Sequence, residues 1–538
     1  MTAMKKYKGV LTPTAKLTVV LVLVGLVLYP VARMFASMTA ADIKATVGGP
    51  NFTVAVKNSL LLTAISTLIC LVMALALAWC MERTAMRLKK VFNVILVMPM
   101  LIPSISHGMG LIILLGGNGI LKNLLGLEGN IYGTPGIILG SVMYAFPVAY
   151  IMLADVMRYE DRSVYEAADV LGIGRGRQLL RITLPYLRKP LIATAFSVFA
   201  MIITDYGVPL MIGGKTKTLS ILMYQEVIGQ LNFGRGCVYG AVLLIPAILA
   251  FVTDILNKDK GSASFVKRDV GLRKNPAREI AAYVICGLVS LFALLPLAAF
   301  LLLAFAKSYP GNMVFSFDNI SRVIARGGTL YLGNSLMIAL LTALAGTVLG
   351  FVAAYITARM KSRLSYLIHV IVLTFMAIPG IVLGLSYVLT FSDSFIYGTL
   401  LIMIMVNTAH FLSSPYLMMY NSFGKMNENL EPVGSTLGVG RLRMLRDVFI
   451  PQSFGTIAEM FSYIFINCMM TISAVSFLAN VRIRPISLMI NQFEAQAQYE
   501  CAAVVSLFIL LANILMKTLI GILKSRVFTK KHQKAATI

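Results

Sequence analysis

Twelve apolar stretches, each long enough to cross a bilayer, leave this chain few ways to fold. A spanning helix needs ~20 predominantly apolar residues. Such stretches fall at 17–36, 54–80, 92–115, 136–157, 191–212 and 238–256, and again at 280–306, 332–358, 364–391, 396–420, 457–479 and 501–523. In hydrocarbon every backbone N–H and C=O must find its partner within the segment, so the stretches are expected as helices. The fold class is therefore an all-α polytopic membrane protein of about twelve transmembrane helices. The chain divides into an N-terminal half at 1–257, a charged connector at 258–279 containing Gly261-Ser262-Ala263-Ser264, and a C-terminal half at 280–538. The connector has a linker's composition and is too short to be a domain.

With 58% apolar and only 13% charged residues, the chain has no room for a sizeable soluble domain. A net charge of +25 would suggest nucleic acid in a soluble protein. Here the bases sit in short loops, where the positive-inside rule puts them, and nucleic acid is excluded as a partner in favour of the lipid bilayer. If the N-terminus is cytoplasmic, most of the Lys and Arg fall inside, which places both termini in the cytoplasm of a bacterial inner-membrane protein. The long basic start makes 17–36 a retained first helix in preference to a cleaved signal. The six Cys and four His show no paired or metal-ligand spacing, so no metal site is expected.

The two halves repeat one another. Asn58-Ser59-Leu60 recurs as Asn334-Ser335-Leu336 and Pro103 as Pro379, both at the same offset. Ile131-Tyr132-Gly133-Thr134 recurs as Ile396-Tyr397-Gly398-Thr399 at a shorter offset, so the first half carries extra residues near Gly116–Gly129. Six spans per unit is an even number, so the repeats run parallel about an axis along the membrane normal. Each half also holds one long polar loop, at 158–190 and 421–455. The first reads Tyr165-Glu166-Ala167-Ala168-Asp169-Val170-Leu171-Gly172 and later Ile182-Thr183-Leu184-Pro185; the second reads Leu430-Glu431-Pro432-Val433-Gly434-Ser435-Thr436-Leu437-Gly438 and later Val448-Phe449-Ile450-Pro451. The interval from Gly172 to Pro185 equals that from Gly438 to Pro451. The pattern predicts a short helix capped at Ser163, a glycine turn, and a second helix interrupted by Pro185. Ala167 and Ala168 would give the first helix a smooth face for close approach by a partner.

This layout resembles the cytoplasmic coupling loop of the membrane subunit of ATP-binding-cassette (ABC) importers, and the duplication extends the resemblance to a fused, two-half permease of the type I, methionine-importer-like fold. Within that group the chain is similar to the branch associated with ferric iron, 2-aminoethylphosphonate and polyamines, on Thr204-Asp205-Tyr206-Gly207-Val208-Pro209-Leu210-Met211-Ile212-Gly213-Gly214 and Ile472-Ser473-Ala474-Val475-Ser476-Phe477-Leu478. The resemblance implies two ABC ATPase subunits that carry MgATP, an extracytoplasmic substrate-binding protein, and no cofactor in this chain. It implies ATPase-coupling residues Glu166, Ala167, Ala168, Gly172, Leu184 and Pro185 in the first loop, and Glu431, Gly434, Gly438, Ile450 and Pro451 in the second. The second loop departs from the pattern: Pro432 stands where Glu166 stands, and Glu431 is a candidate replacement for the acid.

No phosphate-binding loop is present, since the glycine that Gly213-Gly214-Lys215-Thr216 would need is Pro209. No catalytic constellation appears either, so the chain reads as a transport subunit and not an enzyme. The alternative is an ion-coupled secondary transporter with two parallel six-span halves. Asp205 is the intramembrane ionisable residue that matters most to either reading. With Tyr206, and with Ser473 and Ser476 from the other half, it lines a transport pathway, or else it makes a buried structural hydrogen bond to Tyr206 or Thr204, or lies near the outer surface.

Overall fold

The computed structural model describes residues 11–158, 160, 163–257 and 275–536; most of the 258–279 connector, with its Gly-Ser stretch, lies outside them, as does most of the basic start. Among the helices of the first half are α1 (Pro13–Ala36), α2 (Phe52–Arg83), α3 (Ser104–Leu115), α4 (Thr134–Arg158), the short α5 (Ser163–Val170), α6 (Leu184–Ile203), α7 (Gly207–Ile212) and α8 (Phe233–Asn257). Among those of the second are α9 (Pro276–Ala304), α10 (Gly328–Arg359), α11 (Arg363–Thr374), α12 (Gly380–Phe391), α13 (Leu400–Phe411), α14 (Ser413–Gly424), α15 (Leu430–Thr436), α16 (Ile450–Met470) and α17 (Tyr499–Ala536). An antiparallel hairpin, Ala306–Ser308 with Asn312–Phe315, is the strand pair found among the described residues.

Nine described helices are long and apolar enough to cross a membrane, and two bent pairs bring the number to eleven. The twelfth apolar stretch is α16, whose 21 residues include Gln452, Glu459 and Asn467 and so fall short in apolarity. Pro99, Pro103 and Pro379, near the middle of the apolar stretches 92–115 and 364–391, lead one to expect kinks, and both stretches are broken. The second turns by 108° between Ala377 and Gly380, and the first ends its opening helix at Val97 before α3 starts at Ser104. Proline sets both breaks. Pro103 and Pro379 occupy the N-caps of α3 and α12, and the residue before each, Ile102 or Ile378, is extended because a following proline disfavours helical dihedrals.

The repeat reaches well beyond the motifs. Along α2 the buried stripe includes Ser59, Thr63, Ser66, Thr67, Cys70 and Ala74; along α10, its equivalent in the second half, it includes Ser335, Ala339, Thr342, Ala343, Gly346 and Gly350. Side chains this small let helix backbones approach closely, which replaces the hydrophobic drive that lipid does not supply. Large residues such as Leu68 and Val72 point outward. The Asn-Ser pairs are pins. Asn58 donates to the Lys217 carbonyl at 3.0 Å and Asn334 to the Arg482 carbonyl at 2.9 Å, while Ser59 accepts from Leu219 N at 2.9 Å and Ser335 from Ile486 N at 2.7 Å. Gly133 and Gly398 both have positive φ, of 88° and 71°, at the turn leading into the fourth span of each half.

The first span of each half packs on the other half. Helix α1 lies against α11 and α12, where Lys16 donates to the Met360 carbonyl at 2.8 Å and Tyr387 donates to the Leu26 carbonyl at 2.7 Å. Helix α9 packs reciprocally on α2 and α3. The exchange knits the halves around a shared interior.

Candidate functional site

The two polar loops form matching knuckles, each a short helix, a glycine turn and a second helix. Each ends its short helix in a Schellman turn: Ile173 N donates to the Ala168 carbonyl at 2.9 Å and Gly172 N to the Asp169 carbonyl at 3.1 Å, and Val439 and Gly438 repeat this onto Gly434 and Ser435 at 2.8 and 3.2 Å. The residue after the helix must then be left-handed, and Gly172 and Gly438 are, at φ 68° and 71°. The repeated glycines are thus explained by backbone geometry.

Pro185 does not interrupt the following helix, contrary to expectation, and neither does Pro451. A π turn precedes each, Leu179–Thr183 and Leu445–Phe449, and the helix runs on through it. Proline lacks the N–H and crowds the preceding turn, and the wider π turn accommodates both.

Behind each knuckle stands an arginine from the end of the second span, Arg83 or Arg359, at equivalent places in the repeat. Arg83 pairs with Glu160 and lies 4.1 Å from the centre of the Tyr165 ring; Tyr165 also bonds Glu160 and, at 2.8 Å, Thr183. Burial first, then the bond to Glu160, pushes the Tyr165 phenol up to about 12. Arg359 pairs with Glu431, with Nε 2.7 Å from Oε1, and donates to the carbonyls of Met426 at 3.1 Å and Asn427 at 2.8 Å. Glu431 is the counterpart of Tyr165 in the repeat and is turned inward, so it does not replace the exposed Glu166. The smooth alanine face is also corrected: Ala167 is exposed but Ala168 is buried. Gly434, the counterpart of Ala168, is buried under Met444, whose methyl lies 3.0 Å from where a Cβ would stand. Outward-facing groups are Glu166, Ala167, Val170, Leu171 and Pro185 on one knuckle, and Val433, Leu437, Leu442, Ile450 and Pro451 on the other; Leu184 is half-buried. Leu171 and Leu437 are 74% and 73% exposed directly before the turn glycines. Sequence reasoning missed Arg83, Glu160 and Arg359, although the offset that relates Asn58 to Asn334 also relates the two arginines.

Between the halves lies a cavity of about 340 Å³. The breaks at Pro103 and Pro379, the ends of α6 and α16, the middle of α4, part of α8 and the α13–α14 bend all line it. Asp205 and Ser473 are at its wall. Asp205 sits in the break between α6 and α7, where its carboxylate accepts from Val208 N at 3.0 Å and from Ser104. Its structural partners are therefore these, and not the Tyr206 or Thr204 hydroxyl. Tyr206 and Ser476 do not line the cavity; they bond to each other across the halves beside it, with Tyr206 stacked on Tyr224 at 5.1 Å. Ser104 and Gly380 are equivalent positions, as are Gly207 and Ser473. Each junction thus holds one serine against one glycine, with the order reversed between halves.

Residues 71–258 and 346–529 both match the profile of the family described as binding-protein-dependent transport system inner membrane component. The chain is 23% identical over 503 residues to the ferric transport system permease protein FbpB of Actinobacillus pleuropneumoniae, covering 87% of this chain and 72% of that one. It is 23% identical over 517 residues to the Fe(3+)-transport system permease protein FbpB 2 of Haemophilus influenzae, covering 93% and 96%. A shorter relative, the molybdenum transport system permease protein ModB of Azotobacter vinelandii, is 28% identical over 180 residues, 32% of this chain and 80% of that one.

Proposed function

The chain belongs to the binding-protein-dependent transport system inner membrane component family, and from that premise we propose how this permease subunit works and what it moves. Two ABC ATPase subunits dock on the two knuckles, an extracytoplasmic binding protein delivers the solute at the opposite face, and MgATP is bound and hydrolysed on the ATPases. The knuckles and both termini lie in the cytoplasm, as the distribution of Lys and Arg supports. Closure of the ATPases draws the knuckles together and turns the cavity from inward- to outward-facing. The observation that carries this reading is the pair of rigid, Schellman-closed knuckles, each tied to its second span by an arginine and each presenting an exposed leucine. A rigid link of that kind transmits displacement from a docked partner to the spans behind it.

The solute is ferric iron or a small phosphonate, with ferric iron favoured by the names of the two fused relatives. The rival secondary transporter would need no such knuckles. The test is ATP hydrolysis by the chain copurified with its ATPase in proteoliposomes, with binding protein and either ferric iron, aminoethylphosphonate or a polyamine. One ligand should stimulate hydrolysis, and Leu171→Glu with Leu437→Glu should abolish copurification. Transport that follows an ion gradient without any ATPase would overturn the reading.

A further inference from the structure

Resting on the importer reading, we infer that the cavity between the halves is a passage site for a cation, which excludes oxyanions as the cargo. Asp205 is the carboxylate among the described residues lining the cavity, and none of them is Lys or Arg. An oxyanion in a low-dielectric enclosure needs basic groups or clustered N–H donors, whereas carboxylates select cations. The remaining polar lining is hydroxyl, amide and imidazole groups suited to a cation's shell, among them Tyr144, His410, Tyr463, Asn467 and Ser473. The Nδ1 atom of His410 is buried and has no hydrogen-bond partner among the described residues. Its Nε2 lies 2.9 Å from where a Gly380 Cβ would stand, beside the Ser473 hydroxyl, so glycine at 380 keeps the imidazole edge open.

The site is built asymmetrically. Asp205 has Thr471 as its counterpart in the second half, and Tyr144 has His410, both at the offset that relates Gly172 to Gly438. One half therefore supplies the charge and the other the imidazole. No group of three or more His, Cys, Asp or Glu able to hold a metal occurs among the described residues. A lone carboxylate with neutral partners attracts a cation without retaining it, as a pathway requires. The chemistry is shared by a hydrated ferric ion and by a polyamine, and the experiment separates them.

The chain is deleted from its host and restored as wild type, Asp205→Asn or Asp205→Glu, and initial uptake is measured separately for labelled ferric iron, spermidine, molybdate and 2-aminoethylphosphonate. Asparagine caps a helix as aspartate does, so the first variant keeps an oxygen for Val208 N while it removes the charge and turns the other oxygen into an N–H donor beside Ser104. Chain-dependent uptake is expected for ferric iron or for spermidine, lowered at least tenfold by Asp205→Asn at equal membrane abundance and recovered in part by Asp205→Glu. Chain-dependent uptake of molybdate or aminoethylphosphonate would overturn the cation inference and leave the importer reading standing. Cation uptake unchanged in Asp205→Asn would reduce Asp205 to a helix cap and overturn it too. No chain-dependent uptake of any probe, with the chain present in the membrane, would refute both readings.

Discussion

Replacing Arg359 by methionine tests whether the second knuckle is held by its arginine. The Arg359 side chain is 5% exposed and Glu431 22%, so the pair is largely out of water. Arg359 also satisfies the carbonyls of Met426 and Asn427. Removing one partner of a buried pair costs about 3–5 kcal/mol. Glu431 keeps some access to water, which puts the expected cost near the low end, about 3 kcal/mol. The loss should appear as local opening of 427–437 and not as global unfolding, since α10 and α16 are held by their own packing on each other and on α14. At about 1.4 kcal/mol per tenfold, backbone amides of α15 should exchange on the order of 100-fold faster. Hydrogen exchange with mass spectrometry on the chain in nanodiscs reads this without any partner. Pairing Arg359→Met with Glu431→Leu replaces both charges by apolar groups and should recover most of the protection, because no charge is then left buried alone. Exchange in α15 unchanged by Arg359→Met would show that the ion pair does not hold the knuckle. Equal acceleration in the single and double variants would instead mean that the carbonyl contacts, and not the charge pair, matter.

Other substitutions probe the remaining elements. Gly172→Ala and Gly438→Ala each force a Cβ into the left-handed region at about 1–2 kcal/mol, so ATPase copurification should weaken with the spans intact; unchanged binding would mean the turn is not part of the docking geometry. Ser335→Ala leaves the Ile486 N–H buried and unpaired at about 1–3 kcal/mol, and should lower the thermal midpoint in detergent more than Ser335→Thr does, a difference that must vanish if the pin is incidental. At the capping box Thr39–Asp42, hydrogen bonds from Thr39 lower the Asp42 carboxyl below its usual 3.8. A depressed folded value stabilises above the unfolded one and is lost as pH falls through the folded one. Amide protection in 40–47 should therefore stay level from neutral pH to about 4 and drop only below the ordinary carboxylate range. A decline already at about pH 6 would assign it to another group.

Much of the scaffold was legible because it depends on residue type at fixed spacing. Apolar length gives spans, proline gives breaks, and a glycine at a helix end gives a Schellman turn, so equal offsets in the two halves located the knuckles and the Asn-Ser pins. Pairing across the fold was not legible. Nothing local indicates that Glu160 meets Arg83 while Glu431 meets Arg359, because the acid comes from before the short helix in one half and from within it in the other. The exchange of α1 and α9 between halves was likewise hidden, since an apolar run specifies lipid or protein contact without naming the neighbour. The short helix at Ile120–Leu125 accounts for the extra residues near Gly116–Gly129, but the loop's composition alone gave only an insertion.

The pattern of agreement and divergence between the halves bears on mechanism. Arg83 and Arg359, Ser59 and Ser335, Gly133 and Gly398, and the small-residue stripes of α2 and α10 are equivalent and play equivalent parts. Divergence falls on the knuckle surface, Tyr165-Glu166 against Glu431-Pro432, and on the cavity, Asp205 against Thr471 and Tyr144 against His410. A symmetric pair of separate chains would have to duplicate any charge placed on the pathway, and two carboxylates facing one cavity repel. Fusion removes that constraint, so a single carboxylate can face a single imidazole. The same freedom leaves the two knuckles unequal, with Glu166 free to meet a partner in one and its counterpart a proline in the other. Exchanging the knuckles, by writing 163–178 into the second half and 429–444 into the first, should therefore alter ATPase coupling while leaving the cavity's cation preference unchanged. Loss of that preference in the exchanged chain would mean that docking and selectivity are not separate properties of the two faces.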